Sequence, residues 1–313
     1  MRKLMKALPI FWLVCGLAFA GACFYGYRQL LSSGDNAEQM THQIQSKKQS
    51  QQQLEEKNKK ANFNTDQIKP VSPSEYAAAQ LRYEEIVNQY GIGSLFIPSA
   101  GIQTKILAGM ANENLMIAVG TYYPDQKLGK GNYVLLAHNL VEGGGALASL
   151  PSTKMNHVIY ATDFTDVYEY KATKNSTVDQ SNGQFLEKPS EKDLPIMTIF
   201  RCEGGLNTPS RALVQGEFVR SYPAKEATEA VKIGLGLGIM KAEPIGSMDQ
   251  TEESTNQNSN KSTKRFKQIK PKYSTIEKLA IACFSFINKY PIWIGSGFLF
   301  VLVILERFTK RIN

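Results

Sequence analysis

The sequence predicts a mostly β exported domain, a sandwich or closed barrel, slung between two membrane-spanning helices. Three observations predict it. Short β-type runs follow one another between Gly91 and Val219, an uncharged apolar run stands near each end of the chain, and polar stretches separate the ends from the β region. The 313 residues are 42% hydrophobic and 20% charged, which excludes a wholly disordered chain. Their uneven spread points to one modest core with long appendages rather than two equal domains.

At the N-terminus, Arg2, Lys3 and Lys6 precede the uncharged run Ala7 to Tyr27, 21 residues, enough to cross a hydrocarbon core of ~30 Å. Ala18-Phe19-Ala20 fits a signal-cleavage site and Cys23 a lipoprotein site, but the apolar run continues through Phe24 and Tyr25, which favours an uncleaved anchor. The second apolar stretch, Leu279 to Leu305, is interrupted by Lys289 and Pro291 and followed by Glu306, Arg307, Lys310 and Arg311. It is expected to span the membrane, either as a short helix without tilt or with Ile276 to Asn288 lying in the interface before the crossing. Basic residues at both termini then place both ends in the cytoplasm and everything between them outside. The cluster Lys261, Lys264, Arg265, Lys267, Lys270 and Lys272 runs against that bias and reads as a solvated linker or a contact with anionic headgroups.

From Asp35 to Lys69, 12 of 35 residues are Asn or Gln and 11 are charged, too few apolar groups for a core, so a stalk is expected, partly helical. Ser72-Pro73-Ser74-Glu75 forms a capping box with proline at the first helical position, predicting a helix over Pro73 to Tyr90 that Gly91 stops. β-branched and aromatic runs then predict strands at Leu95 to Ile97, Gln103 to Ile106, Tyr133 to His138, Val158 to Thr162, Val167 to Ala172, Ile196 to Cys202 and Ala212 to Val219. Ala224 to Lys241 reads as a helix weakened by Gly234, Gly236 and Gly238, and Ser247 to Lys272 as a polar linker. The expected organisation is an anchor over 1–31, a stalk over 32–71, a folded domain over 72–222 with its barrel from about 91, a linker of unassigned role over 223–275, a C-terminal apolar segment over 276–306 and a basic tail over 307–313.

The formal charge of +8 invites a nucleic-acid reading until it is located. From Gly91 to Tyr222 there are 11 basic and 12 acidic residues, so the folded part is near neutral, the excess flanks the membrane, and no nucleic-acid partner is expected. Of four cysteines, only Cys202 lies in the exported part, where it has no partner for a disulfide within its domain. It ends a strand-like run; His138 ends another and Arg211 opens the next. A thiolate beside a cation, an imidazole within reach of a departing amine and a guanidinium for an oxyanion are the parts of acyl transfer. Each residue alone reads as readily as core filler, a structural histidine or a surface arginine. Metal binding is disfavoured, because no Cys-x-x-Cys, His-Glu-x-x-His or calcium loop occurs.

The ordered series Tyr90-Gly91-Ile92-Gly93, Ile97-Pro98-Ser99-Ala100-Gly101-Ile102, Val119-Gly120-Thr121, Leu136-Ala137-His138-Asn139, Val167-Tyr168-Glu169-Tyr170, Thr198-Ile199-Phe200-Arg201-Cys202 and Arg211 resembles the sortases, most closely class A, over about Tyr90 to Tyr222. The resemblance implies a closed eight-stranded β-barrel with short helices, carried by transmembrane helices in a Gram-positive cell membrane with its catalytic domain extracellular. It implies a cysteine transpeptidase that cuts a Leu-Pro-x-Thr-Gly (LPXTG) sorting signal between Thr and Gly, holds the acyl group as a thioester and passes it to an amine. The partners implied are LPXTG-bearing surface proteins and the amine of a peptidoglycan precursor, lipid II. By motif position Cys202 is the nucleophile, His138 the general acid and base, and Arg211 the oxyanion or substrate-orienting group, with Ala137, Thr198 and Arg201 as candidate substrate contacts. Arg201 stands where the family usually has Thr, and Ala137 where it often has Gly. The loop before the histidine strand carries only Asp125, so no calcium or other cofactor is expected. A second span resembles the pilin-polymerising class C, but no Asp-Pro dipeptide of a class C lid occurs, so wall anchoring is preferred to pilus assembly. A non-catalytic domain that binds wall peptides, or a hydrolase, are the remaining alternatives.

Overall fold

The computed structural model describes residues 2–32, 40–139, 144–190, 192–202, 208–238, 266–268 and 273–311. Its centre is a closed barrel of eight strands: β2 (Gly91–Ile97), β3 (Ile102–Leu107), β4 (Val119–Thr121), β5 (Asn132–Ala137), β6 (Val158–Thr162), β7 (Asp166–Asp179), β8 (Ile196–Cys202) and β9 (Ser210–Pro223). Around the barrel the order is β2-β3-β4-β5-β8-β9-β7-β6, closed by the antiparallel pairing of β2 with β6 through Leu95 and Ala161. Most neighbours are antiparallel; β3 with β4 and β5 with β8 are parallel. Leu95, Ile106, Leu135, Ile159, Ile199 and Val214, each with no exposed surface, fill the interior from six different strands. Closure leaves the barrel without free edges.

The predicted strands all fall on observed ones. The sequence missed β4, only three residues long, and understated β7 and β9, which are 14 residues each and pair along their whole length.

The expected helix over Pro73 to Tyr90 forms as two, α3 (Pro73–Leu81) and α4 (Tyr83–Tyr90), meeting at Arg82. The capping box is present: the Ser72 hydroxyl accepts from the Glu75 N–H while Glu75 accepts from the Ser72 N–H. A short helix, α5 (Asn112–Ile117), crosses from β3 to β4.

The polar stretch before these helices lies against the barrel. It carries β1 (Met40–Gln43) and α2 (Lys47–Lys60), which starts with its own Ser46–Gln49 capping box. Lys57 is buried and its Nζ donates to the Gly91 carbonyl at 2.6 Å; the Ser50 hydroxyl donates to Asp163 O and the Asn58 amide to Pro124 O, both at 2.8 Å. Polar side chains thus hold this helix on the barrel by capping backbone oxygens, with Leu54 supplying an apolar contact.

Beyond β9, α6 (Glu229–Gly234) leads to β10 (Leu237–Gly238), which pairs in parallel with β1; β11 (Phe266–Gln268) pairs with the other edge of β1. Most of the basic cluster between Lys261 and Lys272 lies outside the described residues, as does the stretch from 239 to 265.

Among the described residues, two helices are long and apolar enough to cross a membrane: α1 (Arg2–Ser32), apolar over Ala7–Leu30, and α8 (Pro291–Arg311), apolar over Pro291–Phe308. Tyr290 separates α8 from α7 (Thr275–Lys289), so the interrupted apolar stretch is two helices. Trp12 stacks on Phe298 with ring centroids 5.4 Å apart, and Tyr27 meets Phe284 at 5.2 Å, so α1 packs along both α8 and α7. Gly26 makes the second contact possible: a Cβ there would lie 2.3 Å from the Ala280 carbonyl oxygen. On its other side α7 touches α3, where the Ser285 hydroxyl donates to Ser74 O at 3.2 Å.

Candidate active site

Strand register decides which side chains meet. In the parallel pair β5–β8, Ala137 lies opposite Arg201, so the next residue on each strand, His138 and Cys202, leaves the barrel at the same level. In the antiparallel pair β8–β9, Cys202 is directly opposite Arg211, which puts their side chains on one face with Cβ atoms about 5 Å apart. His138, Cys202 and Arg211 all line one cleft of about 630 Å³ at this end of the barrel.

Each side chain is held by its surroundings. His138 is 8% exposed; its N–H donates to Leu115 O at 3.0 Å and its Nε2 lies 2.9 Å from Asn112 Oδ1, both partners belonging to α5. Burial pushes the imidazole pKa down to about 4, so at neutral pH the resting ring carries no charge. Gly145 has φ of +110°, and a Cβ there would stand 2.8 Å from the His138 carbonyl oxygen; this close approach is what glycine at 145 permits. Arg211 donates through Nη1 to Thr208 O at 2.6 Å and Ser210 O at 2.9 Å, and through Nη2 to Gln180 Oε1. Cys202 is half-buried and in no disulfide.

A thiol, an imidazole and a fixed guanidinium at the rim of a closed barrel are the parts of thioester chemistry. The sortase-domain family model matches residues 95–219. A putative sortase, YwpE, from Bacillus subtilis is 31% identical over 98 residues, covering 31% of this chain and 93% of the relative. The chain belongs to the sortase family. Sortase A of Bacillus anthracis is 25% identical over 225 residues, 72% of this chain and 99% of the relative. Sortase A of Listeria monocytogenes is 28% identical over 130 residues, 42% of this chain, and the match spans 57% of that relative's length. Sortases are cysteine transpeptidases, and two of these relatives are named sortase A.

Within this sortase domain the candidate substrate contacts separate. Ala137 is buried at the rim and lines the cleft. Arg201 also lines it, buried, with Nη1 donating to Cys202 O at 2.8 Å and Nη2 to Ala148 O at 3.2 Å. These bonds tie the segment after His138 to the strand end that carries the thiol. Thr198 is placed elsewhere: it has no exposed surface, its hydroxyl donates to Phe185 O at 3.3 Å and accepts from Gln215 at 3.0 Å, and it does not line the cleft. Four residues before Cys202, it sits two full pleat repeats below the rim, too deep to meet a ligand there.

Three contributors were missed by the sequence reading. Asn112 bonds His138 from α5, Gln180 bonds Arg211 from beyond β7, and Thr65, Ile68, Lys69, Pro70 and Val71 build one wall of the cleft. The last group comes from the stretch expected to be a stalk. A capping-type asparagine and a Lys-Pro pair look like ordinary helix-start and turn residues, and only the closed barrel brings them to the histidine.

Proposed function

We propose that the chain cleaves an LPXTG-type sorting signal between Thr and Gly and joins the Thr to an amine of a cell-wall precursor. The observation that supports this most directly is the register that aligns His138, Cys202 and Arg211 around one cleft. The Cys202 sulfur attacks the Thr carbonyl carbon, and Arg211 donates to the oxyanion that forms. His138 protonates the departing Gly amine as the C–N bond breaks, leaving a thioester on Cys202. An incoming amine then attacks the thioester, His138 takes its proton, and the Cys202 thiolate departs. Because burial holds the imidazole neutral, the reactive thiolate–imidazolium pair is a minority of the resting population. No step needs a cofactor.

Partners follow from the same reading: LPXTG-bearing surface proteins as acyl donors, and the lipid II amine as acceptor. The apolar helices α1 and α8 support a membrane location, with the basic ends inside and the barrel outside. The second span is the one feature that favours pilin polymerisation instead, in which the acceptor is a lysine of another pilin.

The test uses the full chain in lipid nanodiscs with an LPXTG peptide. Wild type is expected to release the glycine-bearing fragment, and added oligoglycine, diaminopimelate or a pilin lysine peptide to divert the acyl product, naming the acceptor class. Cys202→Ala is expected to bind the peptide while release drops by at least about a thousandfold. Unchanged release by Cys202→Ala removes the proposal, and release with no diversion by any amine replaces it with a hydrolase.

A further inference from the structure

The hydrogen bonds around His138 settle a question that a histidine usually leaves open, namely which ring nitrogen holds the proton. Asn112 Oδ1 lies 3.0 Å from the backbone N–H of Lys69 and 2.9 Å from His138 Nε2. A backbone N–H only donates, so the amide atom facing it must be the oxygen; a flipped amide would set NH2 against N–H. That same oxygen offers only lone pairs to the imidazole. Nε2 must then supply the hydrogen. Nδ1 makes no hydrogen bond among the described residues.

The acceptor is well anchored. Asn112 opens α5, whose Leu115 carbonyl also accepts from the His138 N–H, so backbone and ring are gripped by one turn of helix. Lys69 precedes Pro70, which restricts Lys69 to an extended backbone. Lys69 and Pro70 both line the cleft beside His138. The proton's location thus depends on three separate stretches of chain meeting at one oxygen.

We propose that Asn112 is a positioning residue for the transfer reaction: held by the Lys69 N–H, it keeps the imidazole proton of His138 on Nε2 and turns Nδ1 toward the proton exchange with the departing and incoming amines. This rests on the acid–base role of His138 in the proposed function. It adds a second residue on which that role depends and states which nitrogen performs it.

The experiment combines 15N histidine NMR with pH–rate profiles on the full chain in nanodiscs. The chain has three histidines, and His138→Gln assigns the signal. Wild type at neutral pH is expected to show Nε2 protonated. Asn112→Leu removes the acceptor: the Nε2–H form loses its dominance, kcat/KM falls at least about tenfold, chiefly in kcat, and the limb of the pH profile set by His138 moves to lower pH. Asn112→Asp is close in shape and adds a charge that stabilises imidazolium, so the same limb moves up by roughly one to three pH units. A purely structural asparagine would not shift the limb in opposite directions. Nδ1 protonated in wild type, or an unmoved limb in Asn112→Asp, overturns the inference, and this holds even if Asn112→Leu fails to fold. Full activity in His138→Gln would instead sink the acid–base role, while the NMR signal still reports on the asparagine.

Discussion

His138 couples the site to stability as well as to chemistry. Its pKa is near 6.5 in an unfolded chain and about 4 in the folded one, so between these values the unfolded state binds more protons. The contribution to stability is complete above about pH 6.5 and is lost as the pH falls toward 4. Wild type should therefore lose up to about 3 kcal/mol more than His138→Gln across that window, read from denaturant midpoints at a series of pH values. Equal pH slopes for the two proteins would mean that the imidazole is not desolvated. At this scale the sequence was partly legible. Cys202, His138 and Arg211 stood out because each sits at the end of a strand-like run, whereas Asn112 and Gln180 carry no local sign of the partner they find across the fold.

Among the elements, β-branched and aromatic runs disclosed seven of the eight barrel strands, while the four-residue β1, in the stretch expected to be a stalk, was missed. β4 escaped because three residues hold barely one repeat, and the outer half of β7 escaped because Thr173 to Asp179 lacks an apolar face of its own. α2 lies in a stretch expected to be partly helical, but its packing on the barrel was hidden for a different reason. Apolar periodicity is the usual signal of a packed helix, and this one is fastened by Lys57, Ser50 and Asn58 to backbone oxygens. Lys57→Met preserves the length of the buried stem and removes its donor, so it should cost about 1–3 kcal/mol. Glu56→Ala, on an exposed position of the same helix, should stay within about 0.5 kcal/mol. Chemical denaturation of the two variants side by side checks this; equal stability would show that the Lys57 bond contributes nothing net.

For the whole molecule, α7 is the joint. It packs on α1 through Tyr27, Gln29 and the gap left by Gly26, and on α3 through Ser285, so the N-terminal apolar helix reaches the barrel domain through a helix near the other end of the chain. The pair Gln29 and Glu277, hydrogen-bonded at 2.7 Å, gives a direct probe. With the native cysteines replaced, Gln29→Cys with Glu277→Cys should be joined by a short bifunctional thiol crosslinker, and adding Gly26→Leu should cut the crosslinking yield several-fold by forcing the helices apart. An undiminished yield would mean that α1 and α7 do not depend on that close approach. Neither apolar run revealed this packing in advance, because hydropathy identifies a span without naming its neighbour.

The small sheet β10-β1-β11 has a consequence of its own. β1 follows α1 and β11 precedes α7, yet the two strands are laid side by side. The polypeptide between them is thus a loop cinched at its neck, and a severed peptide bond anywhere in that loop leaves two pieces, each still rooted by its own helix and stitched to the other at the base.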